Sequence, residues 1–273
     1  EASGDLHASN LMKSLQKIDS ETDFRFLGGD NMIEVGGHCV KHIEDLAFMG
    51  FIEVIMNIRT ISKNLKLCRN DILDYKPDVL VLVDYPGFNL RIAEFAKQHN
   101  IKVHYYISPQ VWAWKQNRVP KIKRVVDEVY CILPFEKAFY KKYGYDVEYV
   151  GHPLLDEIKK GGFTSIAFNN SQPVIALLPG SRKQEISKML PTMLALTEKY
   201  PNYIFAIGAA PAIPKEFYQA IIGNKPNVKI IQNNTYGLLK TAVAALVTSG
   251  TATLETGLFK VPQVVCYKGS NIS

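Results

Sequence analysis

Two stretches of this chain place small residues and a charge where a strand-to-helix turn would need them to hold an anion. In Leu178-Pro-Gly-Ser-Arg182 the pair Gly180-Ser181 follows an apolar run and precedes a helical pattern, with Arg182 directly after it. Backbone N–H groups in such a turn can point at phosphate oxygens, and a guanidinium can grip a diphosphate with two N–H groups. An ordinary tight turn carrying a surface arginine fits the same spacing. In Ser249-Gly-Thr-Ala-Thr-Leu-Glu255 the residues Ser249, Gly250 and Thr251 open a second helix. First-turn N–H groups have no intrahelical acceptor and the helix dipole is positive there. Glu255, about one turn on, is placed to accept hydrogen bonds from ribose hydroxyls, against the plain alternative of N-capping by Ser249 or Thr251 with Glu255 in water. Two such turns in one half of the chain favour a nucleoside-diphosphate site.

Asp84 ends the run Asp78-Val-Leu-Val-Leu-Val-Asp84 and is followed by Tyr85-Pro-Gly-Phe-Asn89. A partly desolvated carboxylate at the lip of a sheet has a raised pKa and can act as a general base, worth about 10²–10⁴ in rate; a turn or cap aspartate is the commoner fate. In the segment from Met49 to Lys66, Phe51, Ile55, Ile58, Ile61 and Leu65 share a helical face, Ile52 lies beside them, and Arg59, Lys63, Lys66 and Arg69 supply a basic side. That pattern suits a helix in a membrane interface or an acyl-chain groove, and equally an amphipathic core helix. Both tryptophans fall in Ser108-Pro-Gln-Val-Trp-Ala-Trp114, ahead of Lys115, Arg118, Lys121, Lys123 and Arg124. Aromatics among cations can stack on bases, hold a sugar phosphate or pack a loop; no nucleic-acid motif accompanies them.

Composition narrows the classes. At 273 residues and 47% hydrophobic, the chain is long enough for two domains with their own cores. The charged fraction of 21% argues for a folded chain, and the net charge of +6 suits an anionic substrate, an anionic lipid surface or nucleic acid alike. No apolar run reaches the length of about 20 residues that spans a bilayer. The four cysteines form no C-x-x-C pair and the six histidines show no ligand spacing, which points to a reducing compartment, no disulfide framework and no structural metal.

The elements that must carry these groups alternate between short β-branched runs and helical stretches, the pattern of βαβ units in a parallel sheet. Leu6 to Ile18 reads as a helix after the turn Ser3-Gly4-Asp5. Asp78 to Asp84 reads as a strand buried on both faces, and Ile101 to Ile107, Val129 to Leu133 and Val147 to Val150 as further strands, with helices at Leu90 to Gln98 and Phe135 to Tyr143. Lys159 to Pro173 is rich in Gly, Ser and Asn and reads as part of a domain junction. A second series follows, with strands at Val174–Leu178, Tyr203–Ala209, Val228–Ile231, Ala244–Thr248 and Val264–Tyr267, and helices at Ile186–Lys199, Lys215–Ile221, Tyr236–Thr241 and Thr251–Phe259. We therefore expect an α/β protein of two doubly wound halves, 1–160 and 161–273, with ligands beyond the carboxyl ends of the strands. The chain opens at Glu1 with no strand before it and closes soon after Tyr267, so both ends read as truncated.

In their order, Glu1-Ala-Ser-Gly-Asp5, Met49-Gly, Lys76-Pro-Asp-Val79, Asp84 with Pro86 and Phe88-Asn89, the tryptophan segment, Leu133-Pro-Phe-Glu-Lys-Ala-Phe-Tyr140, Val150-Gly-His-Pro153 and the two turns after Leu178 and Thr248 resemble the lipid-A-disaccharide synthase family. The resemblance runs nearly end to end, and the tryptophan segment and the L-P-F-E-K-A-F-Y run are its most specific parts. It implies a glycosyltransferase-B-type fold, two Rossmann-like halves facing a cleft, and a bacterial enzyme peripheral to the cytoplasmic face of the inner membrane. It implies transfer from UDP-2,3-diacylglucosamine to the 6-hydroxyl of 2,3-diacylglucosamine 1-phosphate with inversion, with no metal or cofactor, and a homodimer is compatible with it. By position, Asp84 is cast as the base and Arg182 as the diphosphate ligand. Gly180, Ser181, Ser249, Gly250, Thr251 and Glu255 fall to UDP, and Glu1, Ser3 and Asp5 to the acceptor side. Phe51, Ile52, Ile55, Ile58, Ile61 and Leu65 fall to acyl chains and bilayer. The family also continues past Ser273 and begins before Glu1. A UDP-N-acetylglucosamine 2-epimerase, with a similar fold and nucleotide loops, and a non-catalytic UDP- or sugar-binding protein are the rival readings.

Overall fold

The computed structural model describes residues 2–43, 58–168 and 172–268. The chain divides into two compact units, 1–153 and 154–273. In the first, α1 (Ala2–Ile18), β1 (Arg25–Gly28), α2 (Asp30–Val35) and β2 (His38–His42) precede α3 (Ile58–Tyr75), β3 (Val79–Val83), α4 (Pro86–Gln98), β4 (Lys102–Tyr106), α5 (Val111–Trp114), α6 (Val119–Val125), β5 (Glu128–Cys131), α7 (Pro134–Lys141) and β6 (Glu148–Tyr149). The strands β1 and β2 form a parallel pair, while β3, β4, β5 and β6 form a parallel sheet in chain order. Parallel neighbours need a crossover, and here a helix makes each one. The core joins Leu82, Val103, Tyr105, Val129 and Cys131 of the strands to Leu90, Ala93, Ala96, Ile122 and Tyr140 of the helices.

Three expectations change in this unit. The strand Val79–Val83 is buried on one face only: Leu82 is inside, whereas Val81 is 41% exposed, because β3 is the outer strand of its sheet among the described residues. The helix at the start begins at Ala2 and takes in Ser3, Gly4 and Asp5 instead of following them as a turn. Of the apolar set assigned to acyl chains, Phe51, Ile52 and Ile55 lie outside the described residues and Ile58 opens α3. Leu65, Cys68 and Ile72 are buried with Ile92 of α4, and the partly buried Ile61 and Phe95 pack against them, so this part of the α3 stripe is engaged within the first unit.

Asp5 is also reassigned. Its carboxylate accepts from the N–H of Gly29 at 2.6 Å, Asn31 at 3.0 Å and Met32 at 3.3 Å, and from Asn31 Nδ2 at 2.8 Å. Helix α2 has no side-chain cap of its own, so a carboxylate from α1 satisfies its opening N–H groups. A Cβ on Gly29 would come within 2.9 Å of that carboxylate. Its acceptor capacity is thus taken up within the fold, by three backbone amides and the Asn31 side chain, and Asp5 ties α1 to the start of α2.

The second unit follows α8 (Pro153–Lys160) with β7 (Val174–Leu178), α9 (Lys183–Leu194), β8 (Ile204–Ala209), α10 (Lys215–Ile222), β9 (Val228–Gln232), α11 (Thr235–Thr241), β10 (Ala244–Thr248), α12 (Thr251–Leu258) and β11 (Gln263–Cys266). Its parallel sheet has the order β11-β10-β7-β8-β9. Every residue of β8 is buried, as expected of an inner strand covered on both faces. Leu177, Phe205 and Ile207 meet Ile186, Leu190 and Met193 on one side, and Ala176, Ala206 and Val247 meet Leu238 and Leu239 on the other.

Asp5→Ala is expected to lower unfolding free energy by about 3 kcal/mol through the buried N–H groups it strands, and Asp5→Asn by less. Urea denaturation with unchanged slope would show it; a midpoint equal to wild type removes the capping role.

Candidate active site

The order of the second sheet sets where a ligand can sit. From β7 the chain moves outward through β8 and β9, then returns to the other flank of β7 to lay down β10 and β11. The loops after β7 and β10 therefore diverge to opposite faces and leave a crevice at the carboxyl ends of two adjacent strands. Those loops are Pro179 to Arg182 and Ser249-Gly250. The topology thus brings Gly180, Ser181 and Arg182 beside Ser249, Gly250 and Thr251.

At the first turn Gly180 has φ +114°, and a Cβ there would meet Glu185 at 2.7 Å. Glu185 closes over the turn: its carboxylate accepts from Ser181 N at 3.1 Å and from Arg182 Nη1 at 3.1 Å. The Ser181 amide expected for phosphate is thus engaged inside the protein. What the turn presents is the half-exposed Arg182 guanidinium and the positive end of α9, which has no side-chain cap.

At the second turn neither Ser249 nor Thr251 caps α12; Gly250 is the N-cap residue, without a side-chain bond. Of its opening amides Thr253 N turns back to Gly250 O at 3.0 Å, so those of Thr251 and Ala252 are the ones placed for an external acceptor. Just before them Thr248 Oγ1 is shielded from solvent and has no hydrogen-bond partner among the described residues, a state that calls for a water or ligand atom. Glu255 faces inward, not to water. Its Oε1 accepts from the Tyr236 hydroxyl at 2.8 Å. Burial pushes its pKa up and the Tyr236 bond offsets part of that. Tyr236 packs with Phe163 and Phe259, so an aromatic wall fixes the carboxylate.

In the first unit Asp84 stands at the carboxyl end of β3 on strained backbone. Asp84 has φ +42° and Tyr85 has φ +46°, two successive left-handed residues with side chains, costing of order 1–3 kcal/mol each. Three hydrogen bonds from two side chains hold them there. Asn89 Nδ2 donates to Val83 O at 3.0 Å and Asp84 O at 2.6 Å, and the fully buried Tyr105 donates its hydroxyl to Asp84 O at 2.6 Å. The Asp84 side chain still reaches solvent, but the surrounding chain desolvates its carboxyl and raises its pKa, partly countered by the Tyr85 amide. A carboxylate aimed by a locked main chain and raised toward neutrality fits a general base.

A second strained point lies at the end of the neighbouring strand, where Ile107 has φ +59°. The tryptophan loop that follows is tied down by Glu136, a buried carboxylate that accepts from Ile132 N at 3.1 Å, Leu133 N at 2.8 Å and Ser108 Oγ at 3.4 Å. The two most specific sequence motifs are thus joined by one side chain. Of the other expected residues, Ser3 is an exposed position of α1 and Glu1 lies outside the described residues. Asn89, Tyr105, Glu136, Glu185 and Tyr236 escaped residue-by-residue reasoning; only the tight Asp84 to Asn89 spacing carried a signal. Among the described residues, no three His, Cys, Asp or Glu side chains group as metal ligands, and no helix is long and apolar enough to cross a membrane.

The comparisons with known proteins bear on this geometry. The family model described as lipid-A-disaccharide synthetase matches residues 1–273. The lipid-A-disaccharide synthase of Geobacter sulfurreducens is 36% identical, aligned over 100% of this chain and 74% of its own length. That of Syntrophus aciditrophicus is 38% identical with the same coverage. Among solved structures, a UDP-GlcNAc 2-epimerase from Neisseria meningitidis bound to UDP-GlcNAc superposes with TM-score 0.64 at 16% identity, over 97% of this chain and 80% of that one. The glycotransferase of kitacinnamycin gives TM-score 0.64 at 12% identity, over 97% and 77%. These structures share the fold, and the sequence relatives decide between transferase and epimerase: this chain belongs to the lipid-A-disaccharide synthase family, glycosyltransferases of lipid A biosynthesis.

Proposed function

We propose that the chain transfers 2,3-diacylglucosamine from its UDP conjugate to the 6-hydroxyl of 2,3-diacylglucosamine 1-phosphate at the cytoplasmic face of the inner membrane, by a single inverting displacement. The observation that carries the reading is the pairing of two anion-ready turns, at Arg182 and at Ser249 to Thr251, on adjacent strands at the reversal of sheet order. Arg182 and the opening amides of α9 and α12 meet the diphosphate, and Glu255, steadied by Tyr236, accepts from the ribose. Asp84 takes the proton of the acceptor hydroxyl as its oxygen bonds to the anomeric carbon. The bond from that carbon to the diphosphate oxygen breaks with the electron pair leaving on UDP, whose growing charge is met by fixed donors. Both substrates carry fatty chains, which places the reaction at a lipid interface. A homodimer is compatible with this chemistry and is not required by it.

Arg182→Ala is expected to cut turnover by about 10²–10³ and to weaken UDP binding, with little recovery in Arg182→Lys, since an ammonium lacks the two-pronged geometry. Disaccharide formation from both acylated sugars, with UDP titration calorimetry alongside, tests it; near-normal turnover removes the assignment.

Asp84→Asn is expected to lose about 10²–10⁴ in kcat while UDP binding stays intact. Its pKa is raised in the fold, so the charged carboxylate is a burden above that pKa. The Asn variant should then be at least as stable as wild type at neutral pH, the difference vanishing below the ordinary carboxylate range. The acid limb of kcat/KM should likewise sit above that range and disappear in the variant. An unchanged pH profile would end the base assignment.

Tyr105→Phe keeps the packing and removes one clamp on the Asp84 carbonyl. About a tenfold fall in kcat with KM preserved is expected from a misaimed base, and equal falls in kcat and melting temperature for unrelated activities such as UDP binding would mark a merely structural role.

A further inference from the structure

The carboxylate of Glu255 is held at one oxygen and open at the other. Its Oε1 accepts from the Tyr236 hydroxyl at 2.8 Å, while among the described residues no donor reaches Oε2. Desolvation makes an ionised oxygen costly to leave without a donor. An ionised carboxyl group accepts hydrogen bonds and donates none, so the open oxygen suits a hydroxyl brought by a ligand.

Tyr236 can serve Glu255 in this way only while its ring is fixed, and the fixing residue comes from far back in the chain. Phe163 stands edge-on to Tyr236 at 4.8 Å between ring centres, and Phe259 lies 5.2 Å from Tyr236 and 6.2 Å from Phe163. Phe259 follows α12, the helix that carries Glu255. The three rings therefore join that helix to α11 and to the irregular segment 163–168. The segment is fastened along α11. Lys240 Nζ donates to Phe163 O at 2.9 Å, and Thr241 Oγ1 accepts from Ile166 N at 2.8 Å and donates to Gly237 O at 2.9 Å. Ile166 and Phe168 pack against the core that holds Leu238. The segment passes so close over the helix that a Cβ on Gly237 would run into the Thr164 carbonyl. A phenol set between two rings has given up its side-chain freedom before any ligand arrives, so its hydroxyl stays at Glu255 without a further ordering cost.

We propose that Phe163 and Tyr236 are positioning residues that make this site select a ribonucleoside diphosphate over its deoxy counterpart. Phe163 fixes the Tyr236 ring, Tyr236 fixes Glu255, and the open Glu255 oxygen takes the ribose hydroxyls. The proposal rests on the reading that Glu255 meets the ribose of UDP, and it goes further in assigning the discrimination to residues that act through that carboxylate. A site built to answer a hydroxyl rejects the analogue without one, because its own desolvated acceptor is then left without a donor.

The test measures binding of UDP and of 2′,3′-dideoxy-UDP to the whole chain by titration calorimetry. Wild type is expected to prefer UDP by at least about tenfold. Tyr236→Phe keeps the ring and removes the hydroxyl; the preference is expected to shrink to about twofold while dideoxy-UDP binds as before. Phe163→Ala is expected to lower the preference by about threefold, and Phe163→Leu by less. Added to Glu255→Gln, Phe163→Ala should change the preference no further, since both act through one carboxylate. A full preference in Tyr236→Phe overturns the proposal, as does a Phe163→Ala chain that loses both ligands equally, the mark of a merely structural residue. Where Phe163→Ala does not fold, Phe163→Leu is the deciding variant, and an undiminished preference in it overturns the role of Phe163. Equal binding of the two ligands by wild type strikes the ribose reading of Glu255 itself and the proposal with it. A preference lost in Glu255→Gln but kept in Tyr236→Phe strikes the positioning alone.

Discussion

The structure depends first on a constraint of parallel sheets, that each strand must be reached by a crossover and that reversing the direction of travel leaves a gap. In the second unit the reversal falls between β7 and β10. It sets two helix starts side by side, each with N–H groups that the helix cannot satisfy, and one of them flanked by a guanidinium. No single residue makes the crevice. The order of five strands does, and the local sequence then keeps those helix starts free of side-chain caps.

The first unit solves a different problem, that of aiming one carboxylate. A strand end leaves its last residue free to point in several directions, and here two left-handed residues remove that freedom. Such backbone persists only where the surroundings over-determine it. Asn89 and Tyr105 do so from opposite directions, one from the following helix and one from the neighbouring strand. Glu136 serves the adjacent loop in the same way, with a buried charge whose pKa burial raises while the amides of Ile132 and Leu133 draw it back.

Much of the second unit was legible in the sequence because inner strands have to be apolar on both faces, and Ile204–Ala209 and Val174–Leu178 say so plainly. The pair Arg25–Gly28 and His38–His42 was not, since each strand has only two adjacent apolar side chains, Phe26-Leu27 and Cys39-Val40, between polar or glycine neighbours, which leaves no apolar run to find. Helical spacing placed Ile61 and Leu65 on a common face, but spacing does not say whether that face meets lipid or Ile92. Asp5 illustrates the same limit: its partners lie 24 to 27 residues away, and a carboxylate that caps a distant helix looks in the sequence like one that waits for a substrate. Asn89 and Tyr105 act on main-chain oxygens, which have no residue type to pair with, so no spacing could announce them. Where the sequence succeeded, at Asp84 and at the turns of Arg182 and Ser249, the signal was the order strand, small residues, charge, helix.

Glu185 has a consequence for how long a bound anion stays. Its carboxylate already occupies the Ser181 amide and one donor of Arg182. Any phosphate oxygen that claims that amide must first displace this resident, and the same resident returns as the phosphate departs. Part of the attraction of the turn is therefore cancelled by a tethered competitor at very high local concentration. At the proposed nucleotide site such an arrangement would shorten the dwell time of a spent nucleotide and empty the turn for the next one.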